Sequence, residues 1–234
     1  MRDTASSKMD ILIFFLMASL SGFMIGIGGT SSLLAIATLG AWGKLVGACL
    51  FSLGIYAIVT YGMKLFTGMV ADIPKMGVRN LWKLPLCFLG NSLGVLLVAV
   101  LVKYSPLSAT VMPVGATLIA TKLGADMALL KSFTSAILCG WLITLSVWAP
   151  KYAPKKGISA SIEVLFPVVV FAFCGFDHSV ANMLYFYFLG EFSSHVVLYV
   201  VMSILGNIVG GVLLPLAVLL KEKNKEKKAA EGRL

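Results

Sequence analysis

Six apolar runs, at about residues 11–38, 43–62, 82–102, 128–149, 160–189 and 195–220, govern what this chain can fold into. About 20 apolar residues in a helix cross the roughly 30 Å hydrocarbon core of a bilayer. Each run is therefore long enough for one crossing, and the segments between them carry Pro, Gly and charge. The chain is 59% hydrophobic and 12% charged over 234 residues. A soluble domain is about half apolar and a quarter charged, so an ordinary soluble protein is excluded. The expected fold is all-α and integral to the membrane, with six transmembrane helices in one domain over residues 1–234. Its halves are residues 1–104 and 120–220, followed by a basic cytoplasmic tail at 221–234.

The net charge of +9 is a matter of placement and not a sign of nucleic-acid binding. Lys221, Lys223, Lys225, Lys227, Lys228 and Arg233 crowd the last fourteen positions, which reads as an anchor on anionic lipid. With a cytoplasmic N-terminus, the inside set adds Arg2, Lys8, Lys75, Arg79, Lys83, Lys151, Lys155 and Lys156, against Lys44, Lys103, Lys122 and Lys131 outside. The excess of basic residues then puts both termini in the cytoplasm of a multi-pass plasma or inner-membrane protein. Cys49, Cys87, Cys139 and Cys174 lie singly in separate runs, without metal or redox spacing, and are expected to be buried thiols. No metal site or cofactor is implied. The N-terminal run is long, Gly-rich and lacks a convincing cleavage site, so it is taken as the first span. Gly22 and Gly26, Gly90 and Gly94, and Gly206 and Gly210 form small-xxx-small pairs suited to close helix packing.

Two segments break the apolar pattern. Lys64-Leu65-Phe66-Thr67-Gly68, followed by Asp72, Pro74 and Gly77, predicts that the second helix unwinds near Thr67. Gly175-Phe176-Asp177-His178-Ser179-Val180-Ala181-Asn182-Met183 sets two ionisable groups and an Asn inside the fifth run. Irregular, polar backbone at membrane depth is tolerated where it is buried in protein or lines a cavity. Thr67 and His178 lie about half a chain length apart, as a three-plus-three inverted repeat with broken second and fifth helices would give. His178 reads as a pore group or as a core histidine bonded to a carbonyl or Asn182. Asp177 reads equally as a helix cap or as pore electrostatics, and Thr67 as a cap or a hydroxyl for a permeant ion. His195, beside Glu191, Ser193 and Ser194, reads as an exposed loop histidine.

These residues resemble the formate/nitrite transporter family, which includes formate, nitrite and hydrosulfide channels. The resemblance is carried by Gly22 to Gly29, Leu65-Phe66-Thr67-Gly68, Ile137-Leu138-Cys139-Gly140 with Ser146-Val147-Trp148, Phe176 to Met183, and Gly206-Asn207-Ile208-Val209-Gly210-Gly211, in family order over nearly the whole chain. It implies an aquaporin-like six-helix protomer with an inverted repeat, assembled as a homopentamer in which each protomer has its own pore. It further implies a pore histidine at His178, a threonine at Thr67 and a sixth-helix asparagine at Asn207, with Lys122 the nearest match to a vestibule lysine. Phe51, Ile55, Leu65, Phe66 and Phe171 fall where constriction-forming side chains are expected. Gly140 and Asp177 stand where many relatives have Asn and Glu, and these departures favour the hydrosulfide branch.

The function expected is a channel for small monovalent anions of weak acids, hydrosulfide, formate or nitrite. In it His178 and Thr67 donate hydrogen bonds midway and His178 can also lend a proton. The alternatives are a proton-coupled carrier of small carboxylates and a neutral-solute channel of the water or glycerol type, whose two Asn-Pro-Ala signatures are absent here. A hydrolase built on Ser179 lacks a nucleophile motif, so an enzyme is not expected. Segments 1–10 and 68–80 are expected to flank the cytoplasmic mouth and gate it.

Overall fold

A computed structural model describes residues 7–152 and 160–232. Nine helices follow one another among these residues, with no strand between them. They are α1 (Lys8–Thr38), α2 (Gly43–Thr60), α3 (Phe66–Met69), α4 (Lys83–Lys103), α5 (Ser108–Leu123), α6 (Ala128–Tyr152), α7 (Ala160–Cys174), α8 (Ser179–Leu189) and α9 (Ser194–Ala230). Short 3₁₀ turns at Gly40–Trp42, Val70–Lys75 and Val78–Asn80 join some of them. Among the described residues five helices are long and apolar enough to cross a membrane, and α7 and α8 taken together, bent by 44° at their break, are long and apolar enough for a sixth.

The helices pack as two similar halves. In the first, α1 lies between α4 and α2; in the second, α6 lies between α9 and α7. Close approach within each half depends on missing side chains. A Cβ at Gly22 would land on the backbone of Asn91 in α4, and one at Gly210 would land on the carbonyl of Ile137 in α6. The small-residue pairs therefore do the packing expected of them. Outward-facing Leu12, Leu16, Leu89, Leu93, Leu97 and Leu101 are exposed, as the hydrocarbon-facing surface of a membrane protein requires.

Four details differ from the sequence-based expectation. The second helix unwinds over Tyr61–Leu65, ahead of Thr67, which sits in the first turn of α3. Residues 104–127 hold α5, packed on α8. At 16 residues and interrupted by Pro113, α5 falls short of the 20-residue signature of a span. Cys87 and Cys139 are buried, but Cys49 and Cys174 are exposed, because the apolar medium a thiol tolerates here includes the outer faces of the spans. His195 lies in the first turn of α9, exposed, with Nε2 at 3.3 Å from the Leu123 carbonyl.

The helix α9 is 37 residues long, roughly 55 Å at 1.5 Å per residue, so it overshoots the bilayer core and carries Lys221 to Lys228 beyond it. There Glu222 pairs with Lys75 at 3.2 Å, tying the Val70–Lys75 turn to the overhang. The start of α1 is closed by a reciprocal cap in which the Asp10 N–H donates to Ser7 Oγ and the Ser7 N–H donates to Asp10 Oδ2. Of the two expected gating segments, 1–6 lies outside the described residues, as do Arg2, Lys155, Lys156 and Arg233 of the charge argument. The segment 68–80 comprises the end of α3 and two 3₁₀ turns.

Candidate functional site

A broken helix exposes backbone groups that would otherwise be bonded within the helix, and in hydrocarbon each orphan is costly. Here one asparagine serves each break. Asn91, in α4 and fully buried, accepts the Phe66 N–H at 2.8 Å and donates to the carbonyls of Ala18 and Lys64, both at 2.8 Å. Asn207, in α9 and equally buried, accepts the Ser179 N–H at 2.9 Å and donates to the carbonyls of Ala136 and Asp177, both at 2.9 Å. The correspondence extends further. The Lys64 N–H donates to the Met17 carbonyl, and the Asp177 N–H donates to Ser135 Oγ at the matching place in α6. Asn207 thus spends its amide on the backbone at the second break.

The two breaks meet at Thr67 and His178. Both side chains are buried, and Thr67 Oγ1 lies 2.9 Å from His178 Nε2. The Ala181 N–H donates to His178 Nδ1 at 3.0 Å, so the imidazole is itself the N-cap of α8. A neutral imidazole that accepts at Nδ1 carries its proton on Nε2, which then donates to Thr67 Oγ1. The Thr67 hydroxyl hydrogen is left to donate to a third group. Because His178 caps α8, Asp177 is not needed as the cap.

Asp177 is instead the hub of a polar cluster. Its Oδ1 accepts from Lys122 Nζ at 2.8 Å, Asn182 Nδ2 at 2.8 Å and Tyr199 Oη at 3.1 Å. Lys122 comes from the end of α5 and also donates to the Gly175 carbonyl at 3.1 Å. That carbonyl belongs to a glycine with φ of +75°, the left-handed turn at which α7 gives way to the break. A cation and two further donors on Oδ1 offset much of the cost of burying this carboxylate. The cluster fixes both the break and the position of Lys122.

Two cavities lie by the two breaks, one lined by His178 and the other by Leu65 and Gly68, which flank Thr67 in the chain. One, of about 120 Å³, is lined by His178, Phe51, Phe171, Lys122, Lys44 and Tyr185 among others. It opens where α1 ends and α2 begins. The other, of about 410 Å³, is lined by Leu65, Gly68, Lys64, Met69 and Asp72 with the end of α2, on the face of the termini. Phe171 stacks on His178, with ring centroids 5.6 Å apart, and meets Phe51 edge-on at 5.6 Å. Phe51 and Phe171 thus border the first cavity and Leu65 the second. Ile55 and Phe66 are buried but border neither, and Phe66 packs edge-on against Phe88 at 5.4 Å.

Sequence reasoning did not single out Asn91, Ser135 or Tyr199. A signal for Asn91 was present, since Gly-Asn-x-x-Gly at residues 90–94 recurs at 206–210. The described residues contain no cluster of His, Cys, Asp and Glu suited to a metal ion.

Comparison with known proteins gives a consistent result. The family model described as Formate/nitrite transporter matches residues 2–220. The chain is 27% identical to the uncharacterized transporter YrhG of Bacillus subtilis over 222 residues, covering 87% of this chain and 82% of the relative. It is 28% identical to the nitrite transporter NirC of Salmonella typhimurium over 225 residues, covering 86% and 79%. The fold matches the structure of a pentameric formate channel with formate bound at a TM-score of 0.73 and 20% identity, covering 96% of this chain and 100% of that one.

Proposed function

The chain belongs to the formate/nitrite transporter family, and on that premise we propose that each protomer is a pore for small monovalent anions of weak acids, with formate, nitrite and hydrosulfide as its substrates. The observation that carries this reading is the buried hydrogen bond between His178 and Thr67, with one cavity lined by His178 and another by Leu65 and Gly68 beside Thr67. On this reading a solute crossing from one cavity to the other passes these two side chains.

The physical problem is dehydration. A monovalent anion stripped of water in an apolar passage meets a barrier that a few oriented donors only partly offset. His178 Nε2–H fixes the Thr67 oxygen, and the Thr67 hydroxyl hydrogen then points at the anion. Phe51 and Phe171 on one side and Leu65 on the other exclude water and large solutes. Basic residues at the mouths, Lys44 and Lys122 on one face, raise the local anion concentration. His178 acts first as a neutral donor, because a second ring proton must displace the Ala181 N–H from Nδ1. Proton lending to the anion therefore requires the start of α8 to loosen.

The protein is a multi-pass membrane protein. We place it in the cytoplasmic membrane with both termini inside, following the distribution of lysine and arginine, and as a homopentamer with one pore per protomer; the formate-channel structure it resembles is pentameric. The test is flux of formate, nitrite and hydrosulfide into proteoliposomes, compared with empty liposomes and with His178→Asn. Asparagine keeps a donor but cannot titrate, so flux persists in part while its pH dependence disappears. Unchanged flux and unchanged pH dependence in His178→Asn would remove proton lending from the mechanism.

A further inference from the structure

Three tyrosines surround the second break, and their hydroxyls differ in one respect. Tyr199 Oη donates to Asp177, and Tyr187 Oη lies 2.6 Å from Ser92 Oγ. Tyr185 has no hydrogen-bond partner among the described residues, and its oxygen is not among the sealed polar atoms. It borders the 120 Å³ cavity two helical turns beyond His178 on α8, with Asn182 between them on the same face. Its ring rests near Gly115 of α5, where a Cβ would come within 3.5 Å of it. Tyr185 is half-buried, and its unbonded hydroxyl borders the cavity, where an entering solute can reach it.

The charges around that cavity sharpen the point. Lys122 is engaged by Asp177 at 2.8 Å. Lys44, on the same cavity, lies over the Phe173 ring at 5.4 Å, and no carboxylate of the described residues pairs with it. The cavity therefore combines an uncompensated ammonium with a free O–H donor.

We propose that Tyr185 and Lys44 form a binding subsite for an oxyanion in this vestibule, and that the Tyr185 hydroxyl selects carboxylate and nitrite oxygens over sulfide. The inference rests on the anion-pore reading and goes beyond it by naming the residue that discriminates among its substrates. An ammonium attracts any monovalent anion without regard to shape. A phenol O–H is directional and bonds strongly to a charged oxygen, and less strongly to hydrosulfide, whose charge is spread over a larger and softer sulfur.

The experiment measures initial flux of formate, nitrite and hydrosulfide at limiting concentration in proteoliposomes, with wild type, Tyr185→Phe, Tyr185→Gln and Lys44→Met side by side. Tyr185→Phe keeps the ring and removes only the hydroxyl. It is expected to lower formate and nitrite flux about five- to tenfold, the loss of one charge-assisted bond partly replaced by water, while hydrosulfide changes less than twofold. Tyr185→Gln, which keeps a donor without the ring, retains part of the oxyanion preference, so a folding defect in one variant does not decide the matter. Lys44→Met lowers all three alike. Equal changes for all three anions in Tyr185→Phe, or no change in any, would overturn the inference while leaving the pore reading intact. Absence of flux for every anion in the wild type would instead overturn the pore reading.

Discussion

Replacing Asn91 by Asp is the sharpest test of how the pore is held open, because it exchanges one NH₂ for an oxygen and changes almost nothing in volume. Asn91 accepts the Phe66 N–H and donates twice, all at 2.8 Å, and accepts more weakly from Cys87 Sγ at 3.9 Å, in a site with no exposure. Aspartate preserves the acceptor for the Phe66 N–H, but its other oxygen faces the carbonyls of Ala18 and Lys64. Two lost donations remove about 1 kcal/mol each, and a buried oxygen set against acceptors adds about 1–3 kcal/mol. The expected destabilisation is about 3–5 kcal/mol, or about 6–20 °C in melting temperature at roughly 2–4 °C per kcal/mol for a chain of this size. Asn207→Asp makes the same exchange at the second break and is predicted to cost the same. Thermal melts of the purified protein in detergent measure both. An Asn91→Asp variant melting within about 2 °C of wild type, or a large loss at Asn207 alone, would refute the reasoning that the two breaks are latched alike.

Other outcomes follow from the same geometry. Gly210→Ala drives a Cβ into the Ile137 carbonyl, so α6 and α9 must separate; a loss of about 1–3 kcal/mol and a lower yield of assembled protein on gel filtration are expected. Lys122→Met strips Asp177 of its cation but leaves the Asn182 and Tyr199 bonds, which predicts a loss of about 1–3 kcal/mol in a denaturation series. Adding Asp177→Asn should recover most of it. Phe171→Ala removes the ring that both stacks on His178 and meets Phe51, so acetate and lactate are expected to enter proteoliposomes that exclude them with the wild-type protein.

Much of this architecture is legible in the chain because the bilayer imposes a simple rule. Apolar runs of fixed length become crossings, and polar residues inside them mark the breaks. That logic reached Thr67, His178 and the pairing of the second with the fifth helix without coordinates. It placed the first unwinding a few residues late, since Gly62, with φ of +64°, and not Thr67, supplies the turn. It overlooked α5, whose role is to carry Lys122 to Asp177 and whose sequence lacks the length of a span. Asp177 could not be assigned from the chain, because its partners Lys122, Asn182 and Tyr199 come from three helices and only folding brings them together. Asn91, and its pairing with Asn207, was hidden for a different reason. The halves share a hydrogen-bonding scheme more than a sequence, and the recurrence of Gly-Asn-x-x-Gly gains its meaning only once each amide is seen closing a break.

The most direct measurement is the rate at which formate, nitrite and hydrosulfide enter proteoliposomes containing the wild-type protein, set against Thr67→Val and against empty liposomes. Valine keeps the shape of threonine and removes the hydroxyl hydrogen that Thr67 offers at the crossing point. The account predicts wild-type flux far above the empty control, and a fall of about 10- to 100-fold in Thr67→Val, the loss of a hydrogen bond to a charged group, with the variant still folded. Wild-type flux no greater than that of empty liposomes, or a folded Thr67→Val that conducts as well as wild type, would contradict it.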